Sequence, residues 1–592
     1  MKKITNYIAC LALGALTAGS MISCADDLRE EFNDPDKMTE PQFNLLFSSA
    51  LTQTHLFRME YGPTYHNQIN FNKMLGLCSR PDYLDASQNN SINQPWLGWS
   101  GVTFNDQIFT KTMVAYSKNL NAMDLLFAEM SKEEQEQNME YVYCRNIVSA
   151  YAFQRSSDLY DDLPYFGAGG AFHGQFYVAY DTQEEIYDDI MKKLKEAVAG
   201  LTSFEFYSDV KETQFKGADI LCKGDLNKWI RLANSLRLRM AMRLCHVKPD
   251  VAQSTIRELI NDNRLITEYA QNVGIEEEDK THAFELTFYR GLEERANECI
   301  APETMIQGIM NYKYQPGDEN GISEDRHDFD PRLYAMFQSD RHGRYIGLPL
   351  HMADTVKLHD YYTDQEIYDL FQYDDYKDSP WSPTRLVTMY NRRTYFNFDM
   401  KFPVIHAPEV HLLLAEAAVR WPGAFSDINP AEHIKQAIDI STRFYYEANI
   451  SNKYSSATNP ALQYLKPSAE APRLDEAHLA DYCDFIAKKF NSLTSVQDKY
   501  KLIFDQKYLD MNIMNPYEIY NETRRLVKDF NGVLPIIPVA NVVFMDRFLY
   551  PDSESQENGE NFQKVAHKNN HTTPVWWSNR TTTAVNTNGD AL

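Results

Sequence analysis

Apolar positions recur with the period of an α-helix along much of the chain. Leu226, Trp229, Ala233, Leu236 and Met240 fall three or four residues apart and predict one buried helix face over four turns. Ser131-x-x-Glu134 is a capping box, which predicts a helix from there to about Tyr160, with Pro164 beyond its end. Thr182-x-x-Glu185 predicts a second helix, running to Gly200 as its C-cap. Residues 410–419 and 431–448 form a helical pair split by Trp421-Pro422-Gly423. Residues 499–514 and 516–526 form another, with Pro516 suited to the first helical position. A helical hairpin cannot bury its apolar face alone, so such pairs must stack on one another. The pattern predicts a mainly α protein of degenerate helical repeats, with no fixed 34-residue period. Segments 61–104, 163–180, 270–300 and 311–402 carry no such period and read as long loops.

The N-terminus reads as an address. Lys2 and Lys3 precede an apolar stretch at 8–22, shorter than the roughly 20 residues a membrane span needs. It ends at Ser23-Cys24, which resembles a bacterial lipobox. Residues 1–23 are therefore expected to be a lipoprotein signal peptide and Cys24 the lipidation site. Residues 24–40 form an acidic lipidated linker, and 41–592 a single domain with long loop insertions. The run Ala25-Asp26-Asp27-Leu28-Arg29-Glu30-Glu31 resembles an export signal to the outer face of the outer membrane; a solvated linker is the alternative reading. The expectation is a lipid-anchored, otherwise soluble protein.

Hydrophobic residues make up 43% of the chain and charged residues 24%, a globular composition. Acidic residues number 83 against 58 basic, a net charge of −25 that repels phosphate backbones and argues against nucleic acid as a partner. Of eight cysteines, Cys10 falls in the signal peptide and Cys24 carries the lipid. The other six are isolated, without a C-x-x-C zinc or redox motif, and several read as buried thiols; one or two disulfides stay open.

Catalytic motifs are absent: there is no H-E-x-x-H, G-x-S-x-G or phosphate-binding P-loop. Gly167-Ala168-Gly169-Gly170 has Phe172 where a dinucleotide fingerprint needs Gly, and reads as a loop. Asp325, His327, Asp328 and Asp330 resemble a cation loop but place Asp330 where its Gly belongs, so a solvated turn is expected. The pairs Asp161/Asp162 and Asp374/Asp375 are adjacent in sequence, which does not supply the spacing a glycosidase needs across a sugar. The expectation is a protein that is not an enzyme and uses neither cofactor nor metal.

Two segments look suited to binding. Asn93 to Gly101 places Trp96 and Trp99 among amides and turn residues, offering flat apolar faces beside hydrogen-bonding groups. A Trp plugging the core is the alternative. Residues 359–400 hold eleven aromatics in 42 positions, interleaved with acids. Carboxylates accept hydroxyl hydrogen bonds and aromatic faces stack on sugar rings, so this is carbohydrate chemistry, or else a small local core. The candidate platforms are Trp96, Trp99, Tyr373, Tyr376 and Trp381. The candidate polar contacts are Asn93, Asp82, Asp374 and Asp375. Trp576-Trp577 is expected to anchor the C-terminal segment or a partner.

Several short motifs follow one another in order. They are Asp158-Leu159-Tyr160-Asp161-Asp162-Leu163-Pro164-Tyr165; Tyr180-Asp181-Thr182 through Ile190; Gly224-Asp225-Leu226-Asn227-Lys228-Trp229 through Arg243; and Asp330-Pro331-Arg332-Leu333. Pro408-Glu409-Val410-His411-Leu412-Leu413-Leu414-Ala415-Glu416-Ala417 and Lys507-Tyr508-Leu509 come next. Glu518-x-Tyr520-Asn521-Glu522-x-Arg524-Arg525 and Arg547 to Asn561 close the series. Together they resemble the SusD/RagB-like family of nutrient-binding outer-membrane lipoproteins, from the lipobox to about residue 561. Residues 33–130 look closer to a divergent SusD-like subgroup. The resemblance implies tetratricopeptide-like helical hairpins, an α-α superhelix, packed against a loop-rich ligand-facing half. It also implies a cell-surface protein that captures oligosaccharides, or in some members peptides, and serves as a lid over a SusC-like TonB-dependent transporter. A peptide- or protein-binding structural component of the same machinery is the alternative. Ligand contacts in this family sit on variable loops, so no ligand residue is carried over, and the matched motifs read as carboxylates and arginines that cap and brace helices.

Overall fold

The computed structural model describes residues 42–53, 71–79, 109, 116–274, 292, 299–320, 322, 325–371, 386–395, 397, 402–451, 471–539 and 544–581. The segments expected to be signal peptide and linker, with Cys24, lie outside these residues.

The main helices are α1 (Phe43–Gln53), α2 (Met139–Tyr160), α3 (Gln183–Ser203), α4 (Asp209–Ala218), α5 (Leu226–Arg243) and α6 (Pro249–Asp262). They continue with α7 (Ala407–Arg420), α8 (Pro430–Ser451), α9 (Glu476–Ser492), α10 (Val496–Met511) and α11 (Pro516–Leu526). Their starts follow local chemistry. Asp225 caps α5 by accepting from the amides of Asn227 and Lys228. Pro249 and Pro516 open α6 and α11, where a missing N–H costs nothing.

Two expectations are corrected. The Ser131–Glu134 capping box is present, but its helix is short, Lys132–Glu136. The Asn138 side chain donates to the Glu134 carbonyl at 2.7 Å, taking an acceptor the next turn would use, and α2 starts afresh. The Thr182–Glu185 box opens α3 as expected, yet the helix passes through Gly200 to Ser203. Gly200 is a contact point rather than a cap: a Cβ there would stand 2.2 Å from the Tyr143 ring of α2.

α2 pairs with α3, α5 with α6, α7 with α8, and α10 lies beside α7. α3 packs on α5, α5 on α7, and α8 on α9, so the hairpins stack as a continuous helical layer. The apolar stripe of α5 is fully buried at Trp229, Ala233, Leu236 and Met240. The indole of Trp229 donates to Asp219 at 2.8 Å.

Charged side chains join the hairpins from inside. Glu416 of α7 accepts from Arg525 of α11 at 2.6 and 2.7 Å and from Lys507 of α10 at 3.1 Å. Glu522 accepts from Lys507 and Arg525, both at 2.6 Å. Arg239 and Arg243 of α5 meet Glu409, Glu518 and Glu522. Burial alone would raise the Glu416 carboxyl, but Arg525 and Lys507 hold it far below its ordinary value. The motif carboxylates and arginines thus brace the helices, as a buried network rather than as surface caps.

The other half is built of turns and short helices around a two-stranded antiparallel ladder, β1 (Phe337–Gln338) and β2 (Met389–Tyr390). The fold is therefore mainly helical, with tetratricopeptide-like hairpins against a loop-rich half. Cys78, Cys144, Cys222, Cys245, Cys299 and Cys483 are all buried, and Cys144, Cys222, Cys245 and Cys483 are free thiols. Among the described residues no helix is long and apolar enough to cross a membrane.

Candidate functional site

Trp96, Trp99, Asn93, Asp82, Tyr373, Tyr376, Trp381, Asp374 and Asp375 all lie outside the described residues. Other aromatics of the 359–400 segment are placed, and they divide. Tyr362, Tyr390 and Tyr395 are buried, the small local core of the alternative reading. Tyr361 is partly buried and Tyr368 is 60% exposed.

The described residues also contain a tyrosine ledge. Tyr312, Tyr314 and Tyr345 come from irregular segments on either side of β1, Tyr334 from the short helix Leu333–Met336 that leads into it, and Tyr361 joins them. Tyr345 meets Tyr312 and Tyr334 edge-on, with ring centroids 5.9 and 5.8 Å apart. Tyr314 meets Tyr361 in the same way at 5.9 Å. Tyr312 is buried, while Tyr314, Tyr334, Tyr345 and Tyr361 keep part of their surface in solvent.

Carboxylates lock this surface. Asp318 accepts from the Tyr312 hydroxyl at 2.7 Å, the Gln315 amide at 3.0 Å and Arg326 at 2.9 Å. Tyr314 donates to Glu319, and the Gly317 amide donates to the same carboxylate at 2.8 Å. Gly317 stands at φ +105°, a conformation glycine adopts without strain. Asp340 accepts from the Arg344 amide at 2.8 Å, its guanidinium at 3.1 Å and the Tyr362 hydroxyl at 2.9 Å. Arg344 is thereby held over the rings of Tyr362 and Tyr314, at 4.8 and 5.6 Å from their centroids. Burial pushes the Tyr334 phenol up to about 12 and raises Tyr345 as well. The ledge therefore presents neutral hydroxyls that both donate and accept. At its rim, burial opposes ionisation of Glu366, but the Thr363 amide, Arg341 and His342 hold the carboxyl down at about 2.

Sequence reasoning missed Tyr314, Tyr334, Tyr345 and Arg344. The signal was Tyr312-Lys313-Tyr314-Gln315-Pro316-Gly317, two tyrosines entering a turn-rich run, which lay outside the window counted for aromatics.

The other candidates resolve as structure. Asp330 is not in a solvated turn: it is fully buried and pairs with Arg332 at 2.6 Å, while Arg326 turns to Asp318. Among the described residues no group of three His, Cys, Asp or Glu side chains could hold a metal. Asp161 and Asp162 accept from Lys568 at 2.9 and 2.7 Å and tie down the C-terminal segment. Trp577 anchors that segment as expected, fully buried. The Gly167–Gly170 run is a turn that enters the 3-10 helix Gly170–His173, held by the Asn121 amide on the Gly169 carbonyl at 3.0 Å.

Solved structures with the same fold cover nearly the whole chain. A SusD/RagB family protein from Bacteroides thetaiotaomicron superposes with a TM-score of 0.63 at 19% identity, covering 92% of this chain and all of its own. A chitin-binding protein gives 0.61 at 17%, over 91% and 100%. A chitin-binding SusD homologue from Flavobacterium johnsoniae gives 0.55 at 16%, over 91% and 98%. No curated protein matches the chain. The sequence model of the SusD-like family described as starch-binding and associating with the outer membrane matches residues 86–551, most of the chain, and the protein belongs to that family.

Proposed function

We propose that this protein is a cell-surface lipoprotein that binds oligosaccharides and passes them to a SusC-like TonB-dependent transporter in the outer membrane. It acts by capture and delivery, not by catalysis. The tyrosine ledge carries the reading: aromatic edges, neutral phenols and a braced arginine on one loop surface suit sugar rings and their hydroxyl rims. The short helix Asp364–Phe371 leads from this ledge into 372–385, where Tyr373, Asp374, Asp375, Tyr376 and Trp381 stand. Trp96, Trp99, Asn93 and Asp82 are proposed to complete the site from the 79–104 loop. Family membership and the chitin-binding neighbours of the same fold support a glycan as the ligand class. Cys24 is proposed to carry the lipid that keeps the protein at the membrane.

The test is native affinity electrophoresis of the purified protein against plant, host and microbial glycans, with peptide pools in parallel. Retardation by one glycan class, with peptides inert, is expected. Binding to peptides alone overturns the glycan reading in favour of a peptide- or protein-binding component. Co-purification with a large barrel protein after mild detergent extraction tests the transporter.

A further inference from the structure

We propose that the helical half holds a second, separate site, a small cavity that takes a short carboxylate bearing a hydrogen-bond donor on the adjacent carbon. The cavity lies where α2, α7, α8, α10 and α11 meet and has a volume of about 70 Å³. That is room for several waters or for a guest of a few heavy atoms.

Its lining combines two buried polar atoms without a hydrogen-bond partner, the Tyr517 hydroxyl and His406 Nε2, with the partly buried guanidinium of Arg155. Arg155 of α2 lies flat on the Tyr517 ring, its Cζ 4.1 Å from the centroid. Arg239, Arg243, Arg332 and Arg525 each meet a carboxylate, whereas Arg155 pairs with none among the described residues. Its neighbour Glu518 is turned to Arg243 instead. The Tyr517 hydroxyl is buried, the residue being 3% exposed, and has no hydrogen-bond partner. His406, 8% exposed, places Nδ1 at 3.0 Å from both oxygens of Asp510, and its Nε2 is buried without a partner. Buried polar atoms are nearly always paired, so two in one cavity beside a guanidinium without a carboxylate call for an occupant.

The chemistry of the three groups selects the ligand. A guanidinium fork matches a carboxylate with two parallel hydrogen bonds. Asp510 and Glu409 also line the cavity, so a second negative charge on the ligand is disfavoured and a phosphate dianion is a poor occupant. In the neutral tautomer that donates Nδ1–H to Asp510, the imidazole keeps a lone pair on Nε2. That lone pair repels a bare carboxylate oxygen and accepts from a hydroxyl or ammonium group. Phe444 and Met514 offer an apolar wall for a methyl substituent. Short 2-hydroxy acids and small amino acids share this chemistry. The ledge plays no part in it.

Calorimetric titration of the mature chain tests the site, with lactate, glycine, acetate and inorganic phosphate at neutral pH. Lactate or glycine should bind saturably and at least about 10-fold more tightly than acetate or phosphate, because only they supply a donor to His406. Which of the two binds identifies the donor as hydroxyl or ammonium. Arg155→Gln should abolish that binding. Tyr517→Phe keeps the ring beneath Arg155, removes only the hydroxyl and should weaken binding about 3- to 10-fold; it decides the matter if Arg155→Gln fails to fold. Equal affinity for acetate, tighter binding of phosphate, no saturable binding, or a Tyr517→Phe variant that binds like the parent would each overturn the proposal.

Discussion

Trp577, close to the C-terminus, donates its indole N–H to Asp158 at the end of α2 over 2.9 Å. Asp158 also accepts from Tyr187 of α3, and the guanidinium groups of Arg243 and Arg524 lie over the Trp577 ring at 5.5 and 5.0 Å. One indole thus closes the first hairpin, α5, α11 and the C-terminal segment onto one another. Trp577→Ala should destabilise the fold by about 3–5 kcal/mol. Trp577→Phe keeps most of the buried surface and should cost about 1–3 kcal/mol, the penalty for the donor Asp158 loses. Urea denaturation separates the two; equal losses would show that the buried ring surface contributes nothing beyond the hydrogen bond to Asp158.

Glu416 is the hub of the ion network. Glu416→Gln leaves Arg525 and Lys507 buried with half their compensation and should cost about 3–5 kcal/mol. Adding Lys507→Met to that variant should cost less than the sum of the single changes, because the pair is in contact. Strict additivity in denaturant melts would mean that the charges do not act as a unit.

This network marks the limit of what periodicity alone can show. The helices of α3 and α5 follow from their capping residues and apolar spacing, since those are local choices. Glu518, Glu522, Arg524 and Arg525 look by composition like a solvated face, yet all four are buried. Their burial depends on residues over 100 positions away, such as Glu416, whose arrival only the tertiary fold determines. The same holds for the ledge: Tyr314 and Tyr361 are 47 positions apart and become a surface only when the turns around β1 close. The break at Asn138 and the contact at Gly200 were likewise set by side chains the local pattern does not weigh.

Glu140, in the first turn of α2, is fully buried, and neither carboxylate oxygen meets a donor among the described residues. Desolvation pushes its pKa up to about 7, despite the opposing charge of Lys211. Between the ordinary glutamate value and about 7, the folded chain keeps a proton that the unfolded chain has lost. Stability must therefore fall as pH rises through that window and level off above it. Glu140→Gln should remove this slope, gaining up to about 3 kcal/mol at pH 8 and nothing near pH 4. Melting curves across pH for both proteins check it. A parent protein that becomes more stable from pH 5 to 7, relative to the Gln variant, contradicts the burial argument.

Cys24→Ala should release the protein from the outer membrane, because acyl chains supply most of the membrane affinity of a lipoprotein. Fractionation is done in cells lacking the transporter, so that the partner cannot retain the protein. An Ala variant that still sediments with membranes would show that another segment holds it there.

The last prediction concerns the sugar site. If the 79–104 and 372–385 loops face the ligand beside the ledge, Trp96 and Trp381 are exposed platforms. By analogy with base stacking, each is worth about 1–3 kcal/mol, so Trp96→Ala or Trp381→Ala should weaken glycan binding about 5- to 150-fold. An exposed platform contributes little to folding, so the melting temperature should hardly move; a core tryptophan would instead cost about 3–5 kcal/mol of stability. Tyr207, 68% exposed just after α3 in the helical half, provides the control, and Tyr207→Ala should change neither property. On the ledge, Tyr361→Phe keeps the ring that meets Tyr314 and deletes one hydroxyl. It should weaken binding by less than the tryptophan changes, because a neutral hydrogen bond is worth about 0.5–1.5 kcal/mol. Affinity and melting temperature must be measured on the same preparations. Intact affinity in both tryptophan variants, or a collapse in melting temperature with affinity per folded molecule preserved, places these residues in the core and moves the site elsewhere.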